Sequence, residues 1–458
     1  MSHCNAANDL AWQITLPKCC SPLLMALGFY TILLAQFLSA LADNSLLFAA
    51  IALLKELAAP PEYVPILQQF FVVSYIVLAP FVGAFSDALP KGRVMFISNL
   101  IKLAGCLAML GGINPLYAYA LVGLGAAAYS PAKYGILTEY LPPSQLVLAN
   151  SWMEGLTVLA IILGAVTGGL LLKPGLPFYL LAKNGMMTLG FVPLSPPQFA
   201  ILMVLLLYVA AAIVNLYIPK VHRDHSLPRK NPWYVIKDFA VSFMMLWRDP
   251  LGKVSLAVTT LFWGVGSTLR LIVLVWATLQ LNFDLEKSTQ LTAVSAVGIA
   301  LGSIAAAKWV KLESSLKVLP VGIAMGAAIL GMLFVTQWPI AIVLLVIAGA
   351  MGGFFVVPMN ALLQHRGHQL MGAGHSIAVQ NFNENISILA MLGVYALVIR
   401  ADLPLQGMMQ KIGIESLIGR HLVPTEAAFY ASVVLLGLFI SSLMLLLYRR
   451  YRHVEYTD

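Results

Sequence analysis

Charged residues are what this chain has least of. Asp, Glu, Lys and Arg make up 10% of its 458 residues, while 60% are hydrophobic; a soluble domain carries about 25% charged residues. A water-exposed globular fold is excluded on that ground. Cysteine is scarce too, with four in all. Cys4, Cys19 and Cys20 lie in the N-terminal tail and Cys106 inside an apolar run, so no disulfide framework is expected and all four read as free thiols. No Gly-rich phosphate loop is present, which argues against ATP hydrolysis within the chain. His222/His225 and His365/His368 read as loop residues without a Cys or carboxylate complement, so neither a metal nor another cofactor is expected. Alternation over ~10-residue segments is missing as well, which excludes a transmembrane β-barrel.

Long apolar runs are what the chain has instead. Twelve of them read as helices, at 24–54, 64–88, 94–113, 115–140, 145–172, 198–219, 251–280, 289–311, 316–336, 338–364, 371–399 and 427–448. Most meet or exceed the ~20 residues needed to cross a bilayer, so tilting or kinking is expected in the longest. The reading is an all-α polytopic membrane protein of twelve transmembrane helices. Residues 220–250 are the one long basic and polar interruption, and they divide the chain into six-helix bundles at 24–219 and 251–448, with tails at 1–23 and 449–458. With both tails in the cytoplasm, seventeen Lys and Arg fall on that side and seven on the other, the remaining three being intramembrane. The positive-inside rule selects that orientation. The formal charge of +8 therefore reflects topology and calls for no nucleic acid. The basic linker is expected to lie against anionic lipid.

The halves resemble each other. Gly125 and Pro131 are followed by Lys133 in the fourth span, and Gly352 and Pro358 by Asn360 in the tenth, with the same spacing. Asp43 in the first span and Arg270 in the seventh stand equally far from the outer ends of their helices. Matched halves of this kind are a signature of transporters built from repeats.

Charged groups deep in such spans cost about 2.5–3.5 kcal/mol each on insertion scales. Asp43, with Asn44 beside it and Gln36 and Ser39 on its helical face, makes a polar stripe on the first span. Arg270 is the expected counter-charge, either in a structural ion pair or in a cavity site. Lys133 is expected to meet a partner across helices, with Glu154 the candidate, and Glu139 sits near the inner mouth. Lys102 lies nine residues from Arg93, about 13 Å by helical rise, and either lines a cavity or snorkels. Gln380, Asn381 and Glu384 share one face of the eleventh span, suited to a polar head group or to hydrogen bonding between helices.

Gly83-Ala84-Phe85-Ser86-Asp87-Ala88-Leu89-Pro90-Lys91-Gly92-Arg93 resembles the short inner-face loop of the major facilitator superfamily, departing from it at Ala88 and Pro90. Gly83 permits close helix approach, while Asp87, with Lys91 and Arg93 nearby, is expected to latch one conformation. A more specific resemblance runs from about residue 30 to 450. It is carried by Ala35-Gln36-Phe37-Leu38-Ser39-Ala40-Leu41-Ala42-Asp43-Asn44, by Tyr129-Ser130-Pro131-Ala132-Lys133-Tyr134-Gly135, by Gly352-Gly353-Phe354-Phe355-Val356-Val357-Pro358, by Leu261-Phe262-Trp263-Gly264 leading to Arg270, and by Gln380-Asn381 leading to Glu384-Asn385. These resemble the bacterial lysophospholipid transporter family. The 173–197 and 400–426 connections look like expansions relative to it.

That resemblance implies import or flipping of lysophosphatidylethanolamine and lysophosphatidylglycerol across the inner membrane, for reacylation by a separate acyltransferase. No His here is followed four residues later by Asp, so the reacylating chemistry lies in another protein. On this reading Arg270 suits the phosphate, Asp43 or Glu384 an ethanolamine ammonium, and Lys102 or Lys133 an anionic glycerol lipid. Gly123, Gly125, Ala126, Gly349, Gly352 and Gly353 would let helices slide and open a lateral gap. Two other functions are weighed beside it: a proton-coupled exporter titrating Asp43 and Glu154, and a lipid-sensing scaffold that carries nothing.

Overall fold

The computed structural model describes residues 22–60, 63–185, 188–189, 192–220, 232–281, 283, 285–400, 409–411 and 424–454. Cys4, Cys19, Cys20, His222, His225, most of the N-terminal tail, and parts of the linker, both long connections and the C-terminal tail lie outside the described residues.

Each expected span coincides with a helix. In chain order these are α1 (Pro22–Glu56), α2 (Tyr63–Ala88), α3 (Lys91–Leu110), α4 (Pro115–Tyr140) and α5 (Leu146–Leu171), then a short α6 (Pro177–Lys183) and α7 (Pro196–Leu216). After the linker helix α8 (Pro232–Arg248) come α9 (Pro250–Leu281), α10 (Leu285–Trp309), α11 (Leu319–Gly331), α12 (Trp338–Met371), α13 (Ala373–Arg400) and α14 (Pro424–Tyr451). A two-residue ribbon pairs Thr188–Leu189 with Val192–Pro193. Local chemistry sets several helix starts. Asn114 accepts a hydrogen bond from Leu116 N at 2.9 Å ahead of Pro115, and proline is pre-shaped for a first helical turn.

Nine helices among the described residues are long and apolar enough to cross a membrane. α4, α10 and α13 fall short of that measure, although each packs inside the bundle. α4 and α13 carry the polar runs, and the apolar part of α10 is confined to Ala293–Trp309. On α4 and α13, Ser130 and Asn381 meet each other, and Gln380 meets Asn360.

Three boundaries differ from expectation. The 316–336 span is a helix flanked by 3-10 turns at Leu312–Val318 and Met332–Phe334. α12 runs on to Met371, so His365 and His368 stand on its last turns and not in a loop. The linker contains α8, whose stripe at Val235, Phe239, Ser242, Phe243 and Leu246 turns inward at helical spacing.

One apolar cluster is drawn wholly from residues 42–208 and another wholly from residues beyond 250. In the first, α1 packs on α5 and α7, and α3 on α4 and α7; in the second, α10 packs on α12, and α11 on α14. Where these meet, α2 lies on α13 and α5 on α10.

α10 and α12 approach each other closely along a glycine seam. A Cβ added at Gly349 would strike the carbonyl oxygen of Ser295, at Gly353 that of Ile299, and at Gly302 that of Ala350. Backbone atoms cannot swing aside, so Gly353→Val is expected to cost about 1–3 kcal/mol or more through overpacking. Thermal unfolding in detergent checks this. The midpoint should fall for Gly353→Val and hold for Gly155→Ala, where an added Cβ meets nothing within 4 Å. Equal midpoints would show that the helices are not in contact at this seam.

Candidate functional site

The polar centre begins with Asp43 on α1. Its Oδ2 accepts from Lys102 Nζ at 2.8 Å and its Oδ1 from the Tyr208 hydroxyl at 2.6 Å. Lys102 reaches across from α3, is 1% exposed, and also donates to Ser39 Oγ at 3.0 Å. The rings of Tyr129 and Tyr208 flank its ammonium at 4.8 and 5.6 Å. Lys102 is out of water and Asp43 is half-buried, which is tolerable because the two charges are paired and hydrogen-bonded. The counter-charge of Asp43 is therefore Lys102 and not Arg270. Equal depth in two halves does not make two side chains neighbours, whereas α3 lies in the same half and presents a lysine long enough to reach. Gln36 donates to Met153 O at 3.1 Å and Thr157 Oγ1 at 3.0 Å, tying α1 to α5. Asn44 turns back to Ala40 O at 2.8 Å.

Lys133 and Glu154 meet around Tyr134. The Lys133 ammonium lies 4.6 Å over that ring, and the Tyr134 hydroxyl donates to Glu154 Oε1 at 3.4 Å. Glu154 is buried. On α13, Gln380 donates to Asn360 Oδ1 at 2.9 Å and to Glu384 Oε1 at 2.8 Å. Asn381 donates to Ser130 Oγ at 2.9 Å, which joins α13 to α4. Asn383 and Asn385 instead bond the carbonyls of Val379 and Asn381 on their own helix. The polar run thus divides into three residues that reach outward and two that do not.

Arg270 stands apart. It is exposed on α9, and among the described residues it meets no hydrogen-bond or ion-pair partner. Its guanidinium is a fork of donors without an acceptor.

A second polar knot closes the end of the bundle where α2 turns into α3. Asp87 accepts from Gly374 N at 2.7 Å and His375 N at 3.0 Å, the first turn of α13. His375 Nδ1 and Lys91 Nζ each approach it at 2.7 Å. A carboxylate suits a helix N-terminus, where backbone N–H groups lack acceptors. Gly83 lets the helices close, since a Cβ there would lie 3.0 Å from Ala378 Cβ and 3.1 Å from His375 Cα. Lys91 also reaches Ser86 O at 3.0 Å and Glu139 at 3.1 Å, so Glu139 is paired rather than left at a solvated mouth. Arg93 is exposed and outside this network, because two residues along a helix turn the side chain away. At the same end Asn150 and Gln364 exchange hydrogen bonds at 2.9 and 2.8 Å between α5 and α12, and Arg366 holds Asp249 through three contacts of 2.9–3.1 Å.

Sequence reasoning missed Tyr208, Tyr129, Tyr134, Asn150 and His375. Tyr129 and Tyr134 flank Pro131 and Lys133, which was a usable signal. A tyrosine or asparagine in an otherwise apolar helix carries none until its neighbour is known.

Residues 32–391 match the model of the Major Facilitator Superfamily. The lysophospholipid transporter LplT of Yersinia enterocolitica is 44% identical over 382 residues, covering 83% of this chain and 89% of that protein; the Yersinia pestis transporter of the same name gives the same figures. Among solved structures, the E. coli fucose:proton symporter FucP superposes with a TM-score of 0.64 at 12% identity, over 92% of this chain and 99% of that one. The human organic anion transporter MFSD10 gives 0.66 at 14%, over 93% and 100%. A bacterial homologue of ferroportin in an outward-facing state gives 0.64 at 14%, over 93% and 99%. The solved structures speak for the fold; the family model and the Yersinia relatives show that this chain belongs to the Major Facilitator Superfamily, as a multi-pass membrane transporter homologous to LplT.

Proposed function

We propose that this protein carries lysophospholipids from the outer to the cytoplasmic leaflet of the bacterial inner membrane, with both termini in the cytoplasm. Lysophosphatidylethanolamine and lysophosphatidylglycerol are the substrates, and a separate lysophospholipid acyltransferase takes them up. The observation that carries this reading is the 44% identity to the LplT proteins over 83% of the chain.

The polar centre supports it physically. A lysophospholipid has a phosphate head that must stay hydrogen-bonded and one chain that prefers hydrocarbon. Arg270, exposed and without a partner among the described residues, is the donor fork for the phosphate. Asp43 and Glu384 are the carboxylates for an ammonium, with Lys102, Lys133 and Glu154 adjusting local charge and Gln36, Asn44, Gln380 and Asn381 lining the passage. The single acyl chain rides in a gap between helices. Gly83, Asp87 and Lys91 latch the cytoplasmic end, so the conformation described is closed on that side, and rocking of one half against the other moves the head group.

Reconstitution tests the reading. Vesicles containing the protein should move labelled lysophosphatidylethanolamine to the inner leaflet, and protein-free vesicles should not. Arg270→Ala should lower that rate about tenfold or more, as loss of a charge-assisted hydrogen bond of about 1.5–3 kcal/mol requires. Membrane insertion should be unaltered. Equal rates with and without protein would remove the proposal, and an unaltered rate in Arg270→Ala would remove Arg270 from the site.

A further inference from the structure

The linker helix α8 does more than connect two bundles. Its inward stripe covers the line where α2 meets α13, and it packs on both helices. Phe239 and Phe243 set their rings against Phe382 of α13, with centroids 5.4 and 6.1 Å apart and planes at 78° and 88°. Ala79 and Val82 of α2 belong to the same apolar cluster, and Leu246 is fully buried in it. Asp238, on the flank of the stripe, lies 3.2 Å from His375 Nε2, while the other ring nitrogen of His375 is held by Asp87. One helix therefore touches both sides of a junction between the halves, and it also touches the residue on which the Asp87 knot closes.

If the ends of α2 and α13 part, α8 cannot keep both contacts. Its stripe must give up either Phe382 and His375 or the α2 face. The polar contact lies on α13 and its partner Asp238 is 59% exposed, so water can replace it at little cost. The other face of α8 suits a helix that stays at the membrane surface while it shifts. Trp233, Tyr234, Val241 and Met244 are exposed there beside Lys237, an amphipathic set that rests at a lipid–water interface.

We propose that α8 is a strap across the junction of α2 and α13, and that it must leave α13 before the cytoplasmic end of the transporter opens. This rests on the alternating-access reading above and adds to it a moving part outside the twelve spans.

Two measurements test the strap. In a variant lacking the native cysteines, Phe239→Cys and Phe382→Cys are joined by a short thiol-specific cross-linker that a reductant cleaves. Lysophospholipid flux should fall about tenfold or more when linked and return on reduction. Flux that persists in the linked protein overturns the strap; a reduced protein that carries no lipid, while the cysteine-free parent also carries none, overturns the transport reading instead. The second measurement needs no lipid substrate. Ala373→Cys sits at the buried first turn of α13, beside Gly135, so a water-soluble thiol reagent reaches it when the end opens. Adding Asp238→Ala should raise the labelling rate about two- to fivefold, the worth of one exposed polar contact. An unchanged rate counts against the strap whatever the protein carries.

Discussion

Replacing Lys102 with methionine should be among the most damaging single changes in this protein. It leaves Asp43, half-buried in the bundle, with only the Tyr208 hydroxyl; removing one member of a fully buried pair typically costs about 3–5 kcal/mol, and the partial exposure of Asp43 places this change toward the lower end. Asp43→Asn should do harm from the other side as well, because Lys102 is 1% exposed and would lose its counter-charge, keeping only neutral acceptors in Ser39 and the new amide oxygen. The double variant should recover much of the lost stability, since neither residual charge is then stranded, but it should not recover transport. Thermal unfolding and lysophospholipid flux, measured on the same preparations, separate the two effects. A double-mutant cycle between Asp43 and Lys102 should return a coupling above 1 kcal/mol, as residues sharing a buried network do. The same cycle between Asp43 and Arg270 should return close to zero. A strong Asp43–Arg270 coupling together with a null Asp43–Lys102 coupling would contradict the geometry.

That pairing changes how a head group can be held. Asp43 already has both oxygens occupied, so an incoming ammonium has to compete with Lys102 instead of entering an empty site. Arg270 has no partner to give up among the described residues. We therefore expect the phosphate, common to both proposed lipids, to be the first group bound, and the ethanolamine or glycerol portion to be sorted afterwards among Asp43, Lys133, Glu154 and Glu384.

Much of this was legible in the sequence because insertion into lipid is a composition effect. All twelve expected runs coincide with helices, nine of which among the described residues are long and apolar enough to cross a membrane, since a run of about 20 apolar residues has few other uses. The polar stripe from Gln36 to Asp43 and the outward-facing part of Gln380 to Glu384 follow from helical periodicity alone. What could not be read was which helix stands beside which. Pseudo-symmetry suggested Arg270 for Asp43, yet adjacency within one half gave it Lys102. Nothing in the order of residues announces that Ser130 meets Asn381 or that Asn150 meets Gln364, because these contacts join segments more than 200 residues apart. α8 was hidden for another reason. A 17-residue amphipathic helix inside a basic linker is too short and too polar to register as a span, and its inward stripe gains meaning only when α2 and α13 are seen beneath it.

The Asp87 knot carries the second large expectation. Asp87→Ala removes at one stroke the acceptor for Gly374 N, His375 N, the His375 ring and Lys91, while Lys91 keeps Glu139 and Ser86 O. Hydrogen bonds to a charged group contribute about 1.5–3 kcal/mol each, so losing even one moves an equilibrium between two conformations by roughly ten- to a hundredfold. The direction is fixed by where the contacts are: they join α2 to α13 only while that end is closed, so their loss favours opening. Labelling of Ala373→Cys should accelerate by that factor in Asp87→Ala. Flux should fall, because a carrier held open on one side seldom returns to the other to reload. Asp87→Asn keeps a single amide oxygen for the helix N-terminus and should fall between the two. A variant that merely misfolds would lose its unfolding transition; one that is unlatched should keep it. Labelling of Asp87→Ala at the parent rate, in a protein with an intact transition, would mean that Asp87 holds α13 in place without governing the opening of that end.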